Sequence, residues 1–166
     1  MNDRTDPIAV RPAERADLRA ISGLAAKLVR MHHGFDPARF MLEEPLEAGY
    51  ERFFASELRD RDAVILAATR GDAIVGYAYG RLEPRDWNAL LDACGALHDI
   101  YVDETVRRRG LARRLVDEMT AQLAALGAPR VVLGVAWQNA AAQCFFESIG
   151  FRKTMIEMTR ENGQGA

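Results

Sequence analysis

Residues 107–113 read Arg-Arg-Arg-Gly-Leu-Ala-Arg and join a strand-like apolar run, residues 97–102, to an amphipathic helix pattern that begins at Gly110. The first turn of a helix presents backbone N–H groups without intrahelical partners and the positive end of the helix dipole. A glycine in the approach lets a phosphate come close to these donors, and arginine side chains add charged hydrogen bonds. The segment therefore favours anion binding; the alternative is a solvated, basic start of a helix.

The composition is typical of one globular domain. The chain has 166 residues, of which 49% are hydrophobic and 28% charged, and its formal net charge is −2. This length suits one hydrophobic core, so we expect a single domain over residues 1–166 with an ordered part over about 8–160. The mild acidity argues against a nucleic-acid partner, although nucleic-acid binding through the arginine run stays as an alternative.

The number of cysteines and the hydropathy of the sequence argue against disulfide-rich, secreted and membrane-spanning proteins. Cys94 and Cys144 are the two cysteines, which offer no disulfide framework and no metal-ligand spacing. Residues 1–11 contain no apolar core of a signal peptide, and no run approaches the roughly 20 apolar residues of a transmembrane helix. We therefore expect a cytoplasmic protein with no metal site and no membrane partner.

Hydrophobic periodicity predicts a chain in which helices and strands are mixed. Residues 8–10 are typical of a short strand, and the spacing of apolar residues from Leu18 to Met31 predicts an amphipathic helix that ends at about Gly34. A second helix pattern follows Pro45. Beyond it we predict strands over 64–69, 73–81 and 96–102, a helix over 110–126, a strand over 131–135, a helix over 140–148 and a last strand over 151–159.

Two of the connections between predicted strands have sequence features that predict their structure. Arg70-Gly71-Asp72 is a turn-type linker, which predicts that the second and third strands form an antiparallel hairpin. The longer connection over 83–95 is compatible with a helical turn at 88–93. The element order predicts an α/β fold of the mixed-sheet type, with helices on both faces of the sheet.

Three phosphate-binding motifs compete for the arginine-glycine segment. A Walker A loop needs two glycines around four residues and then Lys-Ser/Thr, which the sequence lacks. A dinucleotide fingerprint needs three glycines in the turn, and Gly110 is the only one here. The remaining pattern is Arg/Gln-x-x-Gly-x-Gly/Ala between a strand and a helix.

That pattern, present as Arg107-x-x-Gly110-x-Ala112, resembles the coenzyme A motif of the GNAT superfamily of acetyl-CoA-dependent N-acetyltransferases. A second segment resembles the closing motif of the same superfamily and reads Asn139-x-x-Ala142-x-x-Phe145-Phe146-x-x-x-Gly150-Phe151. The element order over residues 8–160 extends the resemblance. It implies a GNAT-type fold, in which a mostly antiparallel sheet is splayed between its fourth and fifth strands.

The resemblance also implies where acetyl-CoA would bind as co-substrate. The fourth strand would offer backbone groups to the pantetheine arm and the thioester carbonyl, and the amides after it would cradle the pyrophosphate. The expected coenzyme-binding residues are Ile100, Tyr101 and Val102 in the strand, Arg107, Arg108, Arg109, Gly110, Leu111, Ala112 and Arg113 in the turn, and Asn139, Ala142 and Phe146 in the closing motif. From its position alone, Asn139 is equally a plain helix N-cap, and Phe145 and Phe151 are core residues.

The implied reaction is direct attack of a primary amine on the acetyl thioester. The amine must lose a proton, the carbonyl oxygen must be stabilised, and the sulfur must leave as thiolate; a backbone N–H within residues 100–102 would serve the oxygen. The catalytic candidates are His98, Asp99 and Tyr101. An unperturbed imidazole has a pKa of about 6.5, which suits His98 as the general base; the alternative is a structural histidine in a strand.

One residue departs from the superfamily pattern. Many members have a tyrosine as general acid where this chain has Phe146, which has no proton to give. A positioned acid contributes about 10² to 10⁴ in rate, but a thiol of pKa about 8.5 is already a tolerable leaving group. Water, Tyr101 or Cys144 would then protonate the sulfur. The competing interpretation is an acyl-CoA-binding or regulatory module that has lost transfer.

The resemblance places the acceptor site between the first two helices, where His32, Phe35 and Phe40 are the candidate substrate-binding residues. His32 and His33 have no third ligand at standard spacing, which favours a polar loop over a metal site. The glutamates after Met41 would attract a cationic amine or only solvate a helix face. The expected partner is a small-molecule or peptide amine, and exposed strand edges are compatible with a homodimer.

Overall fold

Five strands and four helices follow one another along residues 7–163, the part of the chain that the computed structural model describes. The strands are β1 (Ile8–Pro12), β2 (Ala63–Arg70), β3 (Ala73–Glu83), β4 (Cys94–Val102) and β5 (Val131–Leu133). The helices are α1 (Leu18–Phe35), α2 (Leu46–Glu57), α3 (Leu111–Ala125) and α4 (Ala140–Ser148). Short 3-10 turns occupy Arg15–Asp17 and Glu104–Val106.

The strands form one sheet in the order β1-β2-β3-β4-β5. All neighbouring pairs are antiparallel except β4 and β5, which are parallel. The β4–β5 ladder begins at Gly95 with Val131 and ends at Leu97 with Leu133. Beyond Leu97, β4 stays paired with β3 on one edge while its other edge leaves β5. The predicted splay between the fourth and fifth strands is therefore confirmed.

Helices cover both faces of this sheet, as predicted. Leu115, Met119 and Leu123 of α3 recur every four residues, and all three are fully buried against one face. On the other face, Ile21 of α1 and Phe54 of α2 are fully buried. Each such side chain contributes roughly 1.5–3 kcal/mol when it is removed from water, so the two cores hold the helices against the sheet.

The connections agree with the sequence in part. The β2–β3 hairpin is confirmed, with Gly71 at a positive φ of 57° in its turn. The helical turn suggested for residues 88–93 is wrong: Asp86 and Leu91 exchange backbone hydrogen bonds of 2.9 and 3.0 Å around a tight loop. The Asp86 side chain also accepts hydrogen bonds from the amides of Asn88 and Ala89, which competes with a helix.

The predicted last strand over residues 151–159 is also wrong. Residues 152–163 are exposed and belong to no strand, and only Phe151 packs against the core, 5.5 Å from the Phe146 ring. Thr154, Met155 and Ile156 have strand-forming side chains, but strand propensity depends on a partner and on burial. The neighbouring β5 is three residues long and offers no ladder of matching length.

A β-bulge interrupts β4 at His98. Tyr79 of β3 pairs with Asp99 and Gly80 pairs with Leu97, so His98 is an extra residue without an opposite partner. Gly80 permits this close packing: a Cβ there would lie 2.7 Å from the Ala96 carbonyl oxygen and 2.8 Å from the Met119 sulfur.

Gly80→Ala is expected to destabilise the fold by about 1–3 kcal/mol, because the added methyl group overlaps backbone as well as side-chain atoms. Gly23→Ala is the matched control: it lies within α1, nothing would be within 4 Å of its Cβ, and it should be neutral or stabilising by about 0.5–1 kcal/mol. Urea unfolding measures both. Equal midpoints for the two variants would contradict the close approach at Gly80.

Candidate active site

An open cavity of about 390 Å³ lies where α2 covers the bulged part of the sheet. It is lined by Tyr50 and Phe53 of α2, Tyr79, Arg81 and Glu83 of β3, and His98 and Asp99 of β4. Successive residues of a regular strand point to opposite faces. His98 and Asp99 both reach the same cavity because the bulge at His98 breaks that alternation.

The His98 ring is held in place from two sides. Its Nε2 lies 2.8 Å from Oε1 of Glu83, and the ring stacks on Tyr79 with centroids 5.4 Å apart and planes at 24°. An ionised carboxylate only accepts hydrogen bonds, so Nε2 carries the proton and donates it. In this tautomer the lone pair is on Nδ1, which has no hydrogen-bond partner within residues 7–163.

Asp99 is a carboxylate in a poorly hydrated place. The Tyr77 hydroxyl donates a hydrogen bond of 3.1 Å to its Oδ2. Burial raises the pKa of Asp99, and the bond from Tyr77 and the charges of His98 and His32 only partly offset this. Burial, followed by the charge of Asp99, also raises the pKa of Tyr50 to about 12. Tyr50 is therefore a neutral hydroxyl near this carboxylate at neutral pH.

Arg81 lines the cavity with its charge already compensated. Its guanidinium donates to Glu57 and to Asp60, each at 3.1 Å. The Tyr79 hydroxyl donates to the same Glu57 carboxylate at 2.5 Å. This partly buried network fixes the Tyr79 ring on which His98 stacks. Glu83 lies 3.8 Å from the Arg81 Nε, whereas no arginine or lysine pairs with Asp99 in the part of the chain that the structure describes, residues 7–163.

The turn before α3 has the geometry of an anion site. Arg108 and Gly110 adopt positive φ values of 63° and 73°, which turn the local amides. Within the described chain, the backbone N–H groups of residues 108–113 donate no hydrogen bond; the first such bond runs from Arg114 to the Gly110 carbonyl at 3.1 Å. A series of free amides at a helix start suits a pyrophosphate, so the residues present fit coenzyme A.

The arginine side chains contribute differently from one another. Arg107 donates through Nε to the Val102 carbonyl at 2.9 Å, and its guanidinium lies 5.5 Å over the Tyr101 ring. It therefore ties the turn to the end of β4. Arg108 and Arg109 are exposed, and Nε of Arg113 lies 3.6 Å from Asp117 one helical turn on.

The closing motif of the sequence builds α4 and packs it. Oδ1 of Asn139 accepts a hydrogen bond of 3.1 Å from the Ala142 amide, which confirms the N-cap interpretation. Phe146 is 7% exposed, with the Phe145 and Phe151 rings 5.1 and 5.5 Å away. The core interpretation of Phe145 and Phe151 is likewise confirmed, and coenzyme contact by Asn139, Ala142 or Phe146 stays a prediction.

The predicted acceptor residues lie together but outside the cavity lining. The His32 ring is 5.9 Å from Phe35 and 5.1 Å from Phe40, and its Nδ1 is 2.9 Å from the Leu28 carbonyl. The lining residues that the sequence interpretation did not name are Tyr50, Phe53, Tyr79, Arg81 and Glu83. Aromatic periodicity on α2 was visible in the sequence, but it predicted only a core face.

Within residues 7–163, no three His, Cys, Asp or Glu side chains are grouped so that they could hold a metal ion. Over the same range, no helix has the length and apolar character needed to cross a membrane.

A helix start with free amides, a strand with one open edge and a neighbouring cavity with a proton acceptor are typical of coenzyme A-dependent acyltransferases. The model of the acetyltransferase (GNAT) family matches residues 28–151. The chain therefore belongs to the GNAT acetyltransferase family, whose members in general transfer an acetyl group from acetyl-CoA to nitrogen. No match was found among curated protein sequences.

Solved structures of similar fold cover nearly the whole chain. A mutant form of the BH1408 protein from Bacillus halodurans is 20% identical, with 93% of this chain and 99% of that chain covered and a TM-score of 0.79. The aminoglycoside N-acetyltransferase AAC(6')-Iy in complex with CoA is 16% identical, with 98% and 99% covered and a TM-score of 0.79. Glucosamine-6-phosphate N-acetyltransferase from Arabidopsis thaliana is 18% identical, with 94% and 99% covered and a TM-score of 0.67. At these identities the likeness shows the fold.

Proposed function

We propose that this protein transfers the acetyl group of acetyl-CoA to a primary amine of a small molecule or peptide. One observation carries the proposal: the last β4–β5 pair is Leu97 with Leu133, and the next residue, His98, lines the cavity. The open strand edge for the thioester and the proton acceptor for the amine are thus consecutive on one strand.

The coenzyme site of the proposal follows the free backbone groups. The amides of residues 108–113 would hold the pyrophosphate, with the side chains of Arg108 and Arg109 secondary because they are exposed. The open edge of β4 at residues 100–102 would pair with the amides of the pantetheine arm, as an added strand does. Asn139, the N-cap of α4, would contact the pantetheine arm, and Phe146 would lie near the sulfur, with Ala142 of α4 as a further coenzyme contact.

In the proposed reaction, Nδ1 of His98 takes a proton from the acceptor ammonium, and Asp99 holds the acceptor nearby. The amine nitrogen then forms a bond to the acetyl carbon, the carbon–sulfur bond breaks, and the sulfur keeps its electron pair. The nitrogen, which is cationic after the attack, loses its second proton to water and becomes the amide. A backbone N–H within residues 100–102 stabilises the carbonyl oxygen. Tyr101 lies two residues after Asp99, on the same strand face, and we assign it with water as the source of the thiolate's proton.

Thiol release from acetyl-CoA over a panel of primary amines tests the proposal. At least one amine should release thiol in an amine-dependent manner and yield the N-acetylated product by mass spectrometry. The competing function is an acyl-CoA-binding module without transfer, which the missing hydroxyl at Phe146 favours. Tight acetyl-CoA binding with no thiol release for any amine would support that module and contradict the proposal.

We also propose that Glu83 acts through His98 as a positioning residue. Glu83→Gln should lower kcat by about tenfold and leave KM for acetyl-CoA unchanged, because a neutral amide no longer fixes the ring tautomer. Combining it with His98→Ala should cost little more than His98→Ala alone, since coupled residues are not additive. Glu43→Gln, an exposed glutamate, is the control. If the losses in kcat for Glu83→Gln and His98→Ala added up in the double variant, the proposed action of Glu83 through His98 would be contradicted.

Cytoplasmic location and a homodimer complete the proposal. The dimer is supported by apolar side chains in the segment after α4: Met155, Ile156 and Met158 are 77%, 71% and 90% exposed. Exposed apolar groups of this size favour association with a second chain.

A further inference from the structure

We propose that the preferred acceptor is a small dicationic amine without a carboxylate, and that Asp99 binds the ammonium group that is not acetylated. This inference rests on the proposed N-acetyltransferase function and names its substrate class. It is carried by three features of the cavity: an unneutralised carboxylate, aromatic walls, and the lack of a free cation in its lining.

The first feature is the state of Asp99. Within residues 7–163, the Tyr77 hydroxyl is the only group that donates a hydrogen bond to this carboxylate, and no arginine or lysine pairs with it. A carboxylate offers about four acceptor positions, so most of them are left for a ligand. A poorly hydrated anion without a partner is costly, and a bound ammonium group would remove that cost.

The second feature is the wall around Asp99. Phe53 meets Tyr79 edge-on at a centroid distance of 5.4 Å and Tyr50 edge-on at 6.4 Å, so the Phe53 ring is nearly perpendicular to both neighbours. Ring faces attract ammonium groups, and rings around a carboxylate suit a cation better than a neutral group. All three rings line the cavity together with Asp99.

The third feature excludes an anionic acceptor. Arg81 is the only arginine or lysine in the lining, and Glu57 and Asp60 bind its guanidinium at 3.1 Å each. Its remaining Nε is buried away from solvent and lies 3.8 Å from the Glu83 carboxylate. A carboxylate on the acceptor would meet Glu83 and Asp99 without a free partner. Like charge placed against like charge is an effective means of rejecting a wrong ligand. Amino acids and other carboxylated amines should therefore be poor acceptors.

The cavity is open to solvent, so the placement of its polar groups, rather than its volume of about 390 Å³, selects the acceptor. The cavity has two polar subsites, one at His98 and Glu83 and the other at Asp99 with its partner Tyr77. A short diamine would present its reacting nitrogen to the first and its second ammonium group to the other.

Three four-carbon amines that differ at one end test the inference. Putrescine carries a second ammonium group, butylamine carries none, and 4-aminobutyrate carries a carboxylate. We expect kcat/KM for putrescine to exceed that of butylamine by about tenfold or more, as for a hydrogen bond between charged groups, and 4-aminobutyrate to be the poorest. Equal values for putrescine and butylamine, or a preference for 4-aminobutyrate, would overturn the inference and leave the N-acetyltransferase function standing.

Asp99→Asn tests the assignment of the second ammonium group. An asparagine oxygen can still accept from Tyr77, so the ratio of putrescine to butylamine kcat/KM should fall towards one. Asp92→Asn, an exposed aspartate paired with Arg85 at 2.9 Å, is the control and should keep the ratio. Equal losses for both amines in Asp99→Asn would show that Asp99 serves the reacting nitrogen, which overturns the assignment. If neither these three amines nor any other amine gave thiol release, the proposed N-acetyltransferase function would be overturned as well.

Stability gives a readout that separates binding from a structural role. Burial raises the pKa of Asp99, so the native state holds this proton more tightly than the unfolded chain. Stability is then lost as pH rises through the folded pKa, and the ionised carboxylate is a cost at neutral pH. Asp99→Asn should therefore keep or raise the unfolding midpoint at pH 7. A clearly lower midpoint would mean that Asp99 is a structural residue.

Discussion

Replacing His98 by alanine is expected to lower kcat for acetyl transfer by about 10²-fold or more, the contribution typical of a positioned general base. In the proposed reaction the Nδ1 lone pair accepts the proton, because Nε2 is hydrogen-bonded to Glu83 at 2.8 Å. The wild-type rate should rise with pH through a histidine limb and then level off. In His98→Ala this pH-dependent rise should disappear. The rate should then increase only as the acceptor amine itself loses its proton.

The measurement is kcat/KM for the acceptor between about pH 5.5 and 9, a range that spans histidine titration. His33→Ala is a matched control, since the Nδ1 of His33 lies 2.8 Å from the Phe40 carbonyl and its ring is absent from the cavity lining. The control should keep the histidine limb. An unchanged pH profile in His98→Ala would show that another group accepts the proton and would remove His98 from the mechanism.

Replacing Gly110 by valine is expected to weaken acetyl-CoA binding by about tenfold or more. Gly110 has a φ of 73°, a conformation that costs a β-branched residue on the order of 1–3 kcal/mol. No atom would lie within 4 Å of an added Cβ, so the effect comes from the backbone and not from a clash. The turn would relax, and the amides of residues 108–113 would no longer converge on one anion.

Titration calorimetry with CoA measures the loss of affinity in Gly110→Val. Two further variants serve as comparisons. Gly127→Val places the same residue at a φ of 101° at the other end of α3, where it should lower stability without changing CoA affinity. Arg108→Ala removes an exposed charge and should weaken binding by only about threefold, the range of a solvent-exposed charge contact. A larger loss for Arg108→Ala than for Gly110→Val would contradict the account of this turn.

Local signals in the sequence predicted most of the fold. The periodic apolar residues of α1 and α3 and the turn at Gly71 were sufficient, because helix faces and tight turns are determined by neighbours along the chain. The segment over 151–159 was mispredicted because its strand propensity was read without a partner strand. Whether such a segment joins a sheet depends on contacts far away in sequence, and the short β5 provides none.

The candidate site was predictable only close to the coenzyme motif in the sequence. His98 and Asp99 precede the motif on one strand, which marked them as candidates. Glu83 comes to the His98 ring only through the register of β3 against β4 and through the bulge at His98, which no local pattern predicts. Tyr50 and Phe53 belong to the helix pattern that follows Pro45, and helical periodicity does not show that a cavity interrupts the apolar face of a helix.

Direct transfer from acetyl-CoA to an amine nitrogen is the central claim, and an acetyl-labelled coenzyme tests it most directly. The protein is incubated with labelled acetyl-CoA and an amine acceptor, and free thiol, labelled amine and labelled protein are quantified in the same sample. Labelled amine and free thiol should form in equal amounts, with no label on the protein. Label on exposed Cys144, or bound coenzyme with neither product formed, would contradict the account.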